Sequence, residues 1–290
     1  MPSPPAAPAP SPAPASGEAD FTLRVRAMFG RQASEYDREA RLQQAVAWRL
    51  AGLCQPLLLP PGPCADLGAG SGLLSRALLA RCGTVAERSP LQLDLCPELL
   101  ARNPMPRQHC WDLNRGLPPE LHGAALLASS FALQWLEQPA LALRAWGRHL
   151  GPGGWLALAL PTAGSFPQWQ QAAKAAGVPC SALPLPRAGD LLAAARNEGL
   201  VLHEARLRRF SRSGGGGLEN LRALRRLGAA ASRSQPLGPG ALRRLLRHWE
   251  ADSTLTWEVL LLLAQRPAAD HQSDPRDTVR QNAQANRCGW

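Results

Sequence analysis

One short stretch restricts the fold of this chain more than any other. Asp66-Leu67-Gly68-Ala69-Gly70-Ser71-Gly72 runs directly into Leu73-Leu74-Ser75-Arg76-Ala77-Leu78-Leu79-Ala80. The second run is rich in strong helix formers, and Cys64-Ala65-Asp66-Leu67 ahead of the glycines reads as a short strand. Strand, glycine turn and helix therefore meet at one point. Glycines permit the tight turn and let a ligand approach the backbone closely. The spacing excludes a dinucleotide fingerprint, because the position three past Gly70 is Leu73 and not glycine. A carboxylate two residues before the first glycine would also repel a pyrophosphate; it suits a cationic amine.

The rest of the chain supplies further strands that alternate with helices. Leu91–Leu95 reads as the second strand, with Asp94 near its end, and Pro97-Glu98-Leu99-Leu100-Ala101 opens a helix. Gln108–Asn114 reads as the third. Gly123–Ser130 is almost wholly apolar, as a central parallel strand covered on both faces should be. A helix over Pro139–Leu150 ends at Gly151-Pro152-Gly153-Gly154, and Trp155–Leu160 is the fifth strand. After a cap-like stretch (Pro161–Val178) and a helix over Asp190–Asn197, Leu200–Leu207 and Thr256–Leu263 read as the sixth and seventh. The pattern predicts an α/β fold, a doubly wound seven-stranded sheet of Rossmann-like type with a helical cap. In such sheets ligands sit at the carboxyl ends of the strands. Gly68–Gly72, Asp94, Asp112 and Ser129–Trp135 all fall at that edge.

Around this body, residues 1–19 form a Pro/Ala-rich stretch and 266–290 a polar one, and both are expected to be disordered tails. The domain is expected over 20–265, with an N-terminal helical lid over 20–59 and a basic helical cap over 211–250. No secretory signal or membrane span is read, so the cytoplasm is expected. Seven cysteines without a C-x-x-C pair imply reduced thiols and no metal. The formal net charge is +10, and between Arg206 and Arg247 the only acidic residue is Glu219. An acidic partner is implied; the plainer reading is a solvated helix face. Leu218, Leu221, Leu224 and Leu227 form one apolar helical stripe, and Leu242, Leu245, Leu246 and Trp249 a second.

The glycine motif resembles the first motif of class I S-adenosylmethionine-dependent methyltransferases. Over nearly the whole ordered body the chain resembles one family among them, the malonyl-[acyl-carrier protein] O-methyltransferases of biotin synthesis. The resemblance rests on Phe29-Gly30-Arg31-Gln32-Ala33 with Tyr36, Leu42 and Gln43, and on the glycine motif. It rests also on Leu93–Leu100, Ser130-Phe131-Ala132-Leu133-Gln134-Trp135, Leu150–Gly154, Gly164-Ser165-Phe166 and Leu221–Ala229. The chain departs from the pattern in Ala80–Pro90 and at Cys96, where serine is usual.

The resemblance implies methyl transfer from S-adenosylmethionine to the free carboxylate of malonyl-acyl-carrier protein, by a monomer that uses no metal and binds neither nucleic acid nor membrane. It implies that Asp66, Gly68, Ala69, Gly70 and Gly72 hold the methionine end and that Asp94 with Leu95 holds the ribose, Glu87 being the competitor. It implies that Asp112 with Leu113 holds the adenine and that Ser129 lies nearby. Tyr36, Gln134 and Trp135 would align the reactants, with Gln43 and Phe131 beside the substrate and Arg222, Arg225 and Arg226 for the carrier or the malonyl carboxylate. Asp112 has an alternative as an Asx-turn residue, Phe131 and Trp135 as core aromatics, and His109 and His203 as strand-edge residues. Two other activities fit the same edge: a class I methyltransferase of a small molecule such as a quinone or fatty acid, and a methyltransferase-like nucleic-acid-binding protein. The second lacks an aromatic-interleaved basic groove.

Overall fold

The computed structural model describes residues 16–213, 215–250 and 254–268. Most of the two expected tails, and Cys288, lie outside them. Three helices open the described chain: α1 (Ser16–Gln32), α2 (Tyr36–Glu39) and α3 (Arg41–Cys54). Then follow β1 (Cys64–Leu67), α4 (Leu73–Arg81), α5 (Gly83–Ala86), β2 (Leu91–Asp94), α6 (Pro97–Leu100), β3 (Gln108–Cys110) and β4 (Ala124–Ser130). The second half holds α7 (Pro139–His149), β5 (Leu150–Pro161), α8 (Pro167–Ala175), α9 (Ala188–Asn197), β6 (Val201–Arg212), α10 (Gly217–Arg226), α11 (Pro239–Arg247) and β7 (Leu255–Gln265).

The seven strands form one sheet in the order β3-β2-β1-β4-β5-β7-β6. Pairing is parallel from β3 to β5, and β7 runs antiparallel between β5 and β6. The strand order reverses between β1 and β4, the place where open α/β sheets bind ligands. β4 is buried along nearly its whole length, as its small apolar residues require of a central strand. Two apolar layers sandwich the sheet. One holds Val46, Leu50, Leu78, Trp169 and Trp249; the other holds Leu143, Trp146, Leu191 and Ala195.

Four expectations need correction. The lid segment is not one helical run to residue 59: turns at 33–35 and at Ala40 break it, and the helix ends at Cys54 before Pro56. That break presents Asp37 to the glycine turn, where its carboxylate accepts from Ser71 Oγ and from Arg76 Nη2 at 2.7 Å. The third strand stops at Cys110, because Asp112 caps a short 3-10 turn over Leu113–Arg115. The cap-like stretch contains α8, opened by Pro167; proline suits the first helical turn, where no amide partner exists to lose. The sixth strand runs on to Arg212 as a sheet edge, so Arg206, Arg208 and Arg209 lie on an exposed strand. Edge charges there discourage strand pairing with another chain, which accounts for part of the basic run without any partner. On α10, Leu224 and Leu227 are buried while Leu218 is exposed.

Candidate active site

The glycine turn sits at the carboxyl end of β1, with Gly68, Gly70 and Gly72 all at positive φ (76°, 52° and 83°). Such backbone favours glycine, and space enforces it. A Cβ at Gly68 would collide with that of Ala132, and one at Gly72 would lie 2.5 Å from Asn103 Oδ1. Asn103, which sequence reasoning missed, is buried and donates to Gln92 Oε1 at 3.1 Å. The turn's amides are largely spent inside the protein. Gly68 and Ala69 N–H donate to Leu93 O (2.8 and 2.9 Å), Gly72 to Ala69 O (2.9 Å), and Gly70 to Asp94 Oδ2 (2.8 Å). The turn is therefore not an anion nest of free amides, in keeping with the acidic residue that precedes it.

Asp94 closes β2 over a cavity lined by Gly68, Gly70, Leu95, Asp112, Leu113 and Tyr36, among others. Its Oδ1 accepts from Cys96 N–H at 2.7 Å. Each carboxylate oxygen thus holds one backbone donor and keeps acceptor capacity for a diol. Burial raises its pKa to about 6, against the two backbone donors. Glu87 is exposed at the end of α5 and does not line the cavity. Asp112 does, and both bonds it accepts, from Asn114 N–H (3.0 Å) and Nδ2 (3.1 Å), fall on Oδ1. The Asx turn and the ligand role are compatible.

Asp66 is placed differently from the expectation. It does not line the cavity; its Oδ2 accepts from Ser75 N–H (3.1 Å) and Oγ (2.8 Å), pinning the start of α4. Its Oδ1 is buried without a partner, and burial pushes the pKa up to about 7. Ala69, Gly72 and Ser129 also stand behind the wall. Ser129 Oγ donates to Leu67 O at 2.6 Å, while the neighbouring Ser130, which the sequence reading passed over, lines the cavity with its Oγ unpaired.

The lid supplies the opposite wall. Phe29 meets Trp135 edge to face with centroids 5.5 Å apart, and Tyr36 at 6.0 Å. Burial, then the carboxylates of Asp94 and Asp37, hold the Tyr36 phenol well above its ordinary pKa, so it stays a neutral donor. Arg26, Trp111 and Asn114 complete the wall and were not foreseen.

Phe131 and Trp135 line this cavity and also a second, inner chamber with Gln43, Gln134, Trp169 and Ser181. Phe131 holds φ +57°, unusual for a side chain of its size. Its N–H donates to Ala159 O (2.8 Å) and its carbonyl accepts from Gln134 Nε2 (2.8 Å). Gln134 thus holds the turn that divides the chambers, and its Oε1 is buried and unpaired. Arg233, also unforeseen, donates to Trp135 O and Leu136 O (3.2 and 2.8 Å) and lies over the Phe21 ring. It joins cap, lid and site. Arg222, Arg225 and Arg226 line neither chamber. All three are exposed on α10, and Arg226 pairs with Glu39 at 3.5 Å. His109 pairs with Glu120 at a sheet edge and His203 packs at a tilt against Trp155, and neither lines a chamber. Among the described residues no cluster of three or more His, Cys, Asp or Glu could hold a metal, and no helix is long and apolar enough to cross a membrane.

A family described as "Methyltransferase domain" matches residues 65–158. The biotin biosynthesis bifunctional protein BioCD of Bordetella avium is 31% identical over 234 residues, 78% of this chain and 48% of that protein. The malonyl-[acyl-carrier protein] O-methyltransferase of Halorhodospira halophila is 36% identical over 137 residues, 45% of each chain. The chain thus spans about half the length of these two relatives. The protein of the same name from Alcanivorax borkumensis is 30% identical over 256 residues, 83% of this chain and 86% of that one. Among solved structures, the Bacillus subtilis YcgJ protein superposes with a TM-score of 0.53 at 11% identity, over 76% of this chain and 99% of that one, which speaks to the fold alone. A glycine turn with its amides spent, an acid closing β2 and a relative matched over most of both chains lead to one assignment: the chain belongs to the malonyl-[acyl-carrier protein] O-methyltransferase family of class I S-adenosylmethionine-dependent methyltransferases.

Proposed function

We propose that this protein transfers a methyl group from S-adenosylmethionine to the free carboxylate of malonyl-acyl-carrier protein. The observation that carries the reading is the pair of chambers that meet across Phe131 and Trp135, one walled by the glycine turn and Asp94, the other apolar and roofed by the basic cap. When bound, S-adenosylmethionine supplies an electrophilic methyl on a cationic sulfur. Asp94 would accept from the two ribose hydroxyls, and Asp112 Oδ2 from the adenine amine, with Leu95 and Leu113 against the ring. Gly68 and Gly70 would admit the methionine end. Asp66 would act from behind the wall, fixing the start of α4.

The acceptor carboxylate is ionised at neutral pH and needs no general base. Catalysis then rests on alignment and on exclusion of water. Trp135 and Phe131 would hold the acceptor in line, Tyr36 would close the chamber from the lid, and Gln134 would keep Phe131 in its left-handed turn. Because Arg222, Arg225 and Arg226 are exposed, they suit the acidic surface of the carrier rather than the malonyl carboxylate. The groove beside them, lined by Arg38, Arg41 and Arg212, shares Gln43, Leu224, Leu227 and Trp257 with the inner chamber and would admit the phosphopantetheine arm.

The test is transfer of label from methyl-labelled S-adenosylmethionine to malonyl-carrier protein, with acetyl- and holo-carrier proteins as controls. Label on the malonyl form alone, released by mild base as a methyl ester, is the expected result. Absence of transfer while S-adenosylhomocysteine binds would refute the substrate and leave the cofactor site standing.

A further inference from the structure

Five buried side-chain atoms among the described residues have no hydrogen-bond partner: Asp66 Oδ1, Ser130 Oγ, Gln134 Oε1, Trp146 Nε1 and Trp169 Nε1. Unpaired buried polar groups are costly and rare, so each calls for an explanation. Three of the five border the two chambers. Ser130 lines the cofactor cavity, and Gln134 and Trp169 line the inner chamber. Trp146 lies in the opposite apolar layer of the sheet.

The inner chamber has a second feature. Among the described residues no arginine, lysine or histidine lines it; its polar side chains are Gln43, Gln134, Ser181 and the indoles of Trp135, Trp169 and Trp257. For an anionic nucleophile this is chemically favourable. A guanidinium on the carboxylate would orient it and also draw off the electron density it needs to attack. A neutral donor orients with less loss of nucleophilicity.

Trp169 is the donor best placed for this. Its residue is 7% exposed, its ring is fixed between Phe166 and Trp249 with centroids 6.2 and 5.6 Å away, and an indole N–H can only donate. We propose that Trp169 Nε1–H is a substrate-binding donor, holding an oxygen of the acyl acceptor in a chamber that carries no fixed positive charge. This rests on the reading of the acceptor as malonyl-carrier protein.

Trp169→Phe removes the N–H and keeps an aromatic ring between the same neighbours. Its KM for malonyl-carrier protein should rise on the order of ten-fold, the weight of one buried hydrogen bond. Affinity for S-adenosylhomocysteine and the melting temperature should stay near wild type. In a 15N spectrum of the wild-type protein, the indole resonance that the variant lacks should move downfield when malonyl-carrier protein is added together with S-adenosylhomocysteine. An unchanged KM with an unmoved resonance overturns the proposal. A KM that rises only in step with lost cofactor affinity and lost stability overturns it too, since packing alone would then explain the effect. Wild-type transfer to malonyl-carrier protein is measured first, so that a wrong substrate and a wrong donor give different results.

Discussion

Asp94 and Asp66 show how two carboxylates only 28 positions apart in sequence come to different work. Both are raised by burial, Asp94 to about 6 and Asp66 to about 7. Asp94 lines the cavity, and in the proposed cofactor role its ionised form would be the one to accept from a diol. Cofactor binding should therefore weaken as pH falls through about 6. Asp94→Asn should lower S-adenosylhomocysteine affinity about 30-fold and remove that pH dependence, as read by calorimetry between pH 5 and 8. Asp66 faces Ser75, so its titration bears on stability. Its folded pKa lies above the unfolded value of 3.8, so the folded state holds the proton more tightly. The stability this brings is complete below about pH 4 and is lost as pH rises through about 7. Relative to Asp66→Asn, the wild type should lose a few kcal/mol across that window in denaturant titrations. The sequence marked Asp66 by the glycine motif and Asp94 by its place at the end of a strand. It could not show that one of Asp66's oxygens would be left without a partner, because that depends on what closes around it.

At the scale of elements, apolar runs and punctuation were enough to place the strands, and the ligand edge followed from their order. Errors came where a side chain or a neighbour overrides local preference. Asp112 ends β3 by capping its own turn, and Pro167 opens α8 although it reads locally as a breaker. The break in the lid after Gln32 has a tertiary cause, since it delivers Asp37 to Ser71 on the glycine turn and to Arg76 on α4. That contact fastens lid to cofactor wall. Asp37→Ala should speed S-adenosylhomocysteine release several-fold in stopped-flow measurements, with little change in melting temperature because the Arg76 pair is partly exposed. Trp169 and Arg233 were illegible for a related reason: a buried donor or a bond to a distant carbonyl leaves no local pattern.

For the molecule as a whole, the charge is divided between two uses. The arginines of β6 guard a sheet edge, and those of α10 face solvent above the chambers. A net charge of +10 could not distinguish these, since composition carries no positions. The lid, meanwhile, touches both halves of the site. Phe21 and Val25 of α1 pack on Ala231 of the cap, and Phe29 packs on Trp135. Gly228, at φ +75°, comes so close that a Cβ there would lie 3.0 Å from the Phe29 ring. One helix therefore roofs the cofactor cavity while bracing the surface on which the carrier would settle. If the lid moves aside to admit the small reactant, a carrier seated on the cap would hold it shut. Turnover should then have a compulsory order, S-adenosylmethionine on first and S-adenosylhomocysteine off last. Product-inhibition kinetics read that order directly: S-adenosylhomocysteine should compete with S-adenosylmethionine and be noncompetitive against the malonyl-carrier protein.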